Sequence, residues 1–308
     1  QLYELSINAS EEKAYYSKAS FCFGANVQFR MLDLKNKTNP ELIIAFNRIK
    51  NDIETFENNV DNISINTIDD LQTYMIVKER ILDAKEYIIE IERNGSLTNL
   101  SSDSIAYSIE RYNSALTWSN FFGTGKKEYI IDKESLKIAC MDKISEVNGY
   151  LQYISLYLDI PLVNINKDID DAAQNLLDEE YALCISKASK AKAESSLILE
   201  ALSVSHEQMK ELFDQKAEIA KQSIILQQEK GVFPILGYSY YEYAKTLKQS
   251  DPDSALIYVG YSIELSNLDI YFEKKNTSYN INIDYQLLGV FALGIIAGVI
   301  LTLGIMIT

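Results

Sequence analysis

From Leu42 onward the apolar positions fall alternately four and three residues apart: Leu42, Phe46, Ile49, Ile53, Phe56 and Val60. An α-helix returns to the same face every third or fourth residue, so this spacing predicts an amphipathic helix with a coiled-coil-like seam. Asn39-Pro40-Glu41 supplies a start signal, because the Asn side chain can accept from unpaired amides and Pro fits the first turn. Thr67 with Asp70 opens a second helix, in which Tyr74, Val77, Ile81, Ala84, Ile88 and Ile91 repeat the spacing and Asn94-Gly95 ends it. The two are expected to form an antiparallel hairpin.

Helical patterning continues from roughly Ser104 to Phe122 and from about Asp132 to Leu158. Neither Pro nor Gly occurs between Pro161 and Gly231, yet one helix of that length does not suit a compact domain. The capping-box pair Ser205 and Gln208 marks a break, giving predicted helices over 168–203 and 206–230. A shorter helix follows Pro234, and Asp251-Pro252 opens one that runs to about Lys274. Helical spacing prevails over period-two alternation along the chain. The expected fold is all-α, a bundle of antiparallel helical hairpins. Four stretches rich in small residues (17–26, 114–123, 186–195 and 258–267) resemble the inner helices of tetratricopeptide-like hairpin repeats. The Trp-Leu-Gly consensus of those units is absent, and close helix packing is the simpler reading.

The C-terminal stretch 285–308 carries no charged residue over about 24 positions, which predicts a membrane-spanning helix. The domain plan is therefore a helical domain over 1–275, a polar tether over 276–284 and the span over 285–308. Gly294 and Gly298 form a GxxxG pair suited to close helix–helix approach, so a homo-oligomer is expected, with membrane lipid and other surface proteins as partners. Six N-x-S/T acceptors, Asn8, Asn36, Asn62, Asn94, Asn99 and Asn276, favour an extracytoplasmic location and candidate glycosylation. The chain begins at Gln1 rather than Met, as expected of a processed product. Lys274 and Lys275 beside the span argue for the opposite sidedness, that of a cytosolic tail-anchored adaptor.

A net charge of −15 and a pI near 4.6 exclude nucleic-acid binding, since no basic surplus exists to neutralise phosphates. Only 12 Gly and 4 Pro among 308 residues agree with long helices. The single histidine, His206, excludes multi-histidine metal sites, and without a G-x-S-x-G turn it reads as a surface or capping residue. Cys22, Cys140 and Cys184 are odd in number and widely spaced; buried thiols are expected, with one bridge between two of them left open. Gly123-Thr124-Gly125-Lys126-Lys127 lacks the full phosphate-loop spacing and reads as an exposed turn. The carboxylate pairs Glu11-Glu12, Asp69-Asp70, Asp170-Asp171 and Glu179-Glu180 fall at helix starts or on polar faces. No catalytic, cofactor-binding or metal-binding residue is assigned. Tyrosine is in excess at 21 residues, and Tyr238, Tyr240, Tyr241 and Tyr243 form a possible contact surface.

YYSKASFCFGANV (15–27), YALCISKASKAKAES (181–195) and the closing apolar helix together resemble the C-terminal helical and membrane-anchor region of archaeal membrane-anchored Lon-like serine proteases. The resemblance implies that a proteolytic domain precedes such a region in the precursor, and that this chain is its non-catalytic part. The family's glycine-flanked serine motif has no match here, so no catalytic residue carries over. The expected function is a membrane-anchored extracytoplasmic interaction or assembly domain. A structural coat or filament subunit is the alternative, and an enzyme with an unfamiliar helical site ranks last.

Overall fold

The computed structural model describes residues 2–93, 102–158, 162–202 and 208–275, and over these the chain is helical apart from short connections and one two-residue ribbon. Helices α1 (Leu2–Glu11) and α2 (Tyr15–Lys35) precede the first seam. α3 (Asn39–Asp61) buries Leu42, Phe46, Ile49, Ile53 and Val60, as the spacing predicts. Its cap lies one residue earlier than expected. Thr38 rather than Asn39 is the N-cap, because only from position 38 does the third helical residue, Glu41, reach back to the capping residue. The Glu41 carboxylate accepts from Thr38 N at 2.8 Å and from Thr38 Oγ1 at 2.6 Å.

α4 (Ile68–Arg93) starts where Thr67 and Asp70 placed it: Asp70 N donates to Thr67 Oγ1 at 3.0 Å, and that hydroxyl donates to Asp70 Oδ2 at 2.8 Å. Lys50 pairs with Glu92 at 2.6 Å, Lys85 with Glu57 at 2.7 Å and Lys78 with Asp61 at 2.7 Å. The partners run in opposite directions along the two helices, so α3 and α4 form the expected antiparallel hairpin. α5 (Ser102–Ser119) lies along α4, and Ser108 Oγ donates to Ala84 O at 3.0 Å. Phe46, Ile53, Val77, Ile81, Ile105 and Ala115 form the core of this part.

β1 (Tyr129–Ile130) leads into α6 (Lys133–Tyr157), whose cap Asp132 accepts from Ser135 N at 2.8 Å. The single helix expected over 168–203 is instead two, α7 (Val163–Leu177) and α8 (Tyr181–Ala201). No Gly or Pro marks the break. Glu179 adopts the left-handed conformation (φ 63°), and Glu180 N donates to Asn175 O at 2.8 Å, closing the end of α7. The physical reason is burial: α7 hides Ile165 and Ala172 on one stripe, whereas α8 is covered almost all round and must turn inward. α9 (Met209–Glu229), α10 (Ile235–Leu247) and α11 (Pro252–Ser266) complete the set. α11 also departs from expectation, ending at Ser266 rather than near Lys274. A 3-10 helix (Leu268–Tyr271) and β2 (Glu273–Lys274) follow, because Leu268 and Asp269 turn into the interior. β2 pairs antiparallel with β1 in the register Tyr129↔Lys274 and Ile130↔Glu273.

α8 is the axle of the fold, packed by α4, α6, α7 and α11. α11 approaches it closely at Gly260, where a Cβ would stand 3.2 Å from the Ala193 Cβ. The open question of the cysteines resolves as a bridge: Cys140 of α6 and Cys184 of α8 are joined, both wholly buried, and Cys22 is a half-buried free thiol. The expectation of three buried thiols is corrected accordingly, because neighbouring helices bring two of the sulfurs into contact.

The chain divides into two compact units, Gln1–Lys274 and Lys275–Thr308. Among the described residues no helix is long and apolar enough to cross a membrane. The tether at 276–284 and the expected span at 285–308, with Gly294 and Gly298, lie outside the described residues.

The bridge closes a loop of sequence separation 44. Chain-entropy reasoning gives it a contribution of about 4 kcal/mol. The double variant Cys140→Ser/Cys184→Ser is expected to unfold at clearly lower urea concentration than the oxidised parent, with a larger m-value because the unfolded chain without the cross-link exposes more surface.

Candidate functional site

In α8 the stretch Ser186–Ser195 sets Lys187, Lys190, Lys192 and Glu194 among alanines and serines. At 100° per residue these charges point in different directions from a helix that is surrounded on most sides. Each therefore needs a partner in the interior, since an unpaired buried charge costs several kcal/mol. Lys190 Nζ meets Glu79 Oε1 of α4 at 2.5 Å, with the two side chains only 11% and 20% exposed. Its ammonium also lies 6.0 Å from the Tyr240 ring centroid. Lys192 contacts Glu146 at 2.8 Å and Glu264 at 3.1 Å. The buried Lys143 shares those two carboxylates, at 3.7 Å and 2.8 Å, and Tyr271 OH donates to Glu146 at 2.7 Å. Lys187 reaches Asp168 at 3.1 Å and Asp171 at 3.3 Å. Tyr261 OH donates to Glu194. On α4, Lys78 is buried against Asp61, Glu57 and Glu180, the last standing just before α8.

These contacts fix the charge states. Burial alone would raise the Glu79 carboxyl, but the attraction of Lys190 and Arg80 outweighs it and holds it at about 2. Burial opposes ionisation of Lys190 as well, yet Glu79 and Tyr240 raise its pKa above the ordinary lysine value. Lys78, Lys187 and Lys192 are raised in the same way, burial resisting and carboxylates prevailing. A nucleophilic or general-base lysine needs a depressed pKa, so these four are held as cations that cross-link helices.

The tyrosines enclose part of this network. Tyr240 is buried and Tyr238, Tyr241 and Tyr243 are half-buried. The Tyr240 ring lies 5.7 Å from that of Tyr258, and the Tyr243 ring lies 4.9 Å from Tyr258 and 5.9 Å from Tyr16. Tyr240 and Tyr243 thus come together in an aromatic cluster. Tyr238 donates to Glu242 at 3.3 Å, and Tyr241 lies under Lys245 at 5.3 Å. α10 is packed by α2, α9 and α11, so all four rings are partly covered rather than standing free.

Other sequence candidates take structural places. Gly123, in the left-handed region at φ 74°, donates its amide to Asp70 Oδ1 at 2.7 Å. The amide that a phosphate loop would offer to an anion is therefore already used. Asp69 Oδ1 accepts from Phe233 N at 2.9 Å, so the Asp69-Asp70 pair ties two loops to the start of α4. Glu180 holds Lys78, and Glu179 holds Lys133 at 2.5 Å. Asn8, Asn36 and Asn62 are exposed on α1 or just past the ends of α2 and α3. Asn94, Asn99, Asn276 and His206 lie outside the described residues. Among the described residues no group of three or more His, Cys, Asp or Glu side chains is arranged to hold a metal ion. An open groove of about 510 Å³ runs between α2, α3 and α5, lined by Arg30, Asp33, Arg48, Asp52, Ile44 and Tyr112 among others.

No known protein-family model, curated protein or solved structure matches this chain.

Removing one member of the Lys190–Glu79 pair leaves the other buried and unbalanced. Glu79→Gln is expected to cost about 3–5 kcal/mol in denaturant unfolding, and Glu79→Met/Lys190→Met to recover most of that loss. The folded pKa of Glu79 is depressed from 4.5 to about 2, so its contribution is complete above roughly pH 4.5 and disappears as pH falls toward 2. Acid titration of unfolding free energy should show that slope in the parent and a shallower one in the double Met variant.

Proposed function

We propose that this chain is a membrane-anchored, extracytoplasmic helical domain whose work is interaction and assembly. The observation that carries the location is the buried Cys140–Cys184 bridge, since such bonds persist in oxidising compartments and are rare in reducing ones. It weighs against the cytosolic tail-anchored alternative. Exposure of Asn8, Asn36 and Asn62 agrees with this, because glycan acceptors must reach solvent. Anchoring rests on the uncharged run at 285–308. An interaction role is supported by the rigid, ion-paired interior and by the open charged groove between α2, α3 and α5. The resemblance to archaeal Lon-like proteases refines the proposal: the chain would be the non-catalytic helical part that supports or presents substrate to a protease domain.

Fractionated membranes from the native host test this reading. The chain should stay with the membrane after alkaline carbonate, be cleaved by protease added to intact cells, and yield an oxidised Cys140–Cys184 peptide after alkylation and digestion. Recovery from the soluble cytosol with both cysteines alkylated would end the proposal. For the expected self-association, Gly294→Leu/Gly298→Leu should lower the mass of the detergent-solubilised particle to that of one chain.

A further inference from the structure

Among the described residues, three buried polar atoms on segments tied to one another have no hydrogen-bond partner: Asp69 Oδ2, Tyr129 OH and Gln227 Oε1. Their residues are 5%, 2% and 1% exposed. The segments that carry them are tied together by short contacts. Tyr129 N donates to Asn66 O at 2.9 Å, three residues before Asp69. Gly125 lies against the same carboxylate, since a Cβ there would stand 3.0 Å from Asp69 Oδ2. Phe233 N donates to Asp69 Oδ1 at 2.9 Å, and its neighbour Val232 N donates to Gln227 O at 3.0 Å. The Gln227 amide donates in turn to Asp269 Oδ1 at 2.6 Å, and Lys230 holds Asp269 Oδ2 at 2.9 Å. The Tyr129 hydroxyl senses the same surroundings: burial first, then the charges of Asp269 and Asp69, push it up to about 12.

Leaving three such groups unpaired would cost about 1–3 kcal/mol each, so the native fold is expected to satisfy them. Their chemistry selects the ligand. Asp69 Oδ2 and Gln227 Oε1 only accept, whereas the neutral phenol of Tyr129 has a proton to give. A water molecule is the complement of that set, with two protons for the acceptors and a lone pair for the phenol. A bare cation fits less well. Calcium takes about 6–8 oxygens. The phenol proton would also have to be turned away from it.

We propose that Asp69 Oδ2, Gln227 Oε1 and Tyr129 OH form a buried binding site for one structural water, which joins the start of α4, the end of α9 and β1. The bridge fastens the seat of the Leu268–Lys274 strap, because Gln227 also grips Asp269 and β1 pairs with β2.

A crystal structure of the full chain, at a resolution that shows ordered solvent, tests the assignment. One water peak within about 3.2 Å of all three atoms is expected. Direct contact between any two of them, or an anomalous peak for a calcium or sodium-substitute ion at that point, overturns it. In solution, oxygen-17 relaxation dispersion should show one fewer long-lived water in Tyr129→Phe/Gln227→Leu than in the parent. Circular dichroism is to confirm that both are folded, and an unchanged count in the folded variant would also overturn the proposal. If that double variant does not fold, the same comparison with Tyr129→Phe alone should show faster exchange of the site's water, and unchanged exchange counts against it.

Discussion

The arrangement of this protein turns on charge compensation around α8. A central helix bearing three lysines and two glutamates packs among its neighbours, and every one of those charges finds an opposite charge or a hydroxyl on another element. Desolvating ions is expensive, and their attraction repays the cost only when geometry is good. α8 can therefore be central only if Glu79, Glu146, Glu264 and Asp168 are delivered to the right depths by α4, α6, α11 and α7. Hydrophobic burial supplies the drive to collapse, but the ion pairs fix the rotation and register at which collapse stops.

That constraint also shapes the chemistry. Lys187, Lys190 and Lys192 are held above the ordinary lysine value and Glu79 below the ordinary carboxylate value, so these groups stay charged near neutrality and join helices. The tyrosines continue the same logic: their rings fill the space between α2, α10 and α11, and their hydroxyls serve the buried charges, as at Tyr261–Glu194 and Tyr271–Glu146. Among the described residues, what remains for partners is the outside of the bundle, with its groove between α2, α3 and α5 and its exposed asparagines.

Much of the architecture was legible where local rules act alone. The Leu42–Val60 seam, the Thr67–Asp70 cap and the Asp251-Pro252 start depend on residues within a turn of each other, and the structure agrees with each. Failures came where distant parts of the chain decide. Nothing between Leu177 and Tyr181 announces a break, because Glu179 is forced left-handed by the need to turn α8 inward. The end of α11 at Ser266 depends on Asp269 meeting Gln227 and Lys230. Pairing of Cys140 with Cys184 depends on which faces of α6 and α8 meet. For the candidate site the signal was present but unread: Lys187, Lys190 and Lys192 alternate with small residues, so α8 has no polar face on which to solvate them.

The β1–β2 ribbon gives the protein a mechanical load path. Tension applied from the C-terminal side arrives first at Glu273–Lys274, whose two-residue pairing with β1 peels rung by rung and resists little. The next holdfast is Asp269, gripped by Gln227 and Lys230. Force passing through β1 enters α6 within a few residues, and Cys140 hands it covalently to α8. A pull on the tail is thus passed through the bridge to the axle of the bundle, and through the Tyr129 amide on Asn66 O to the start of α4.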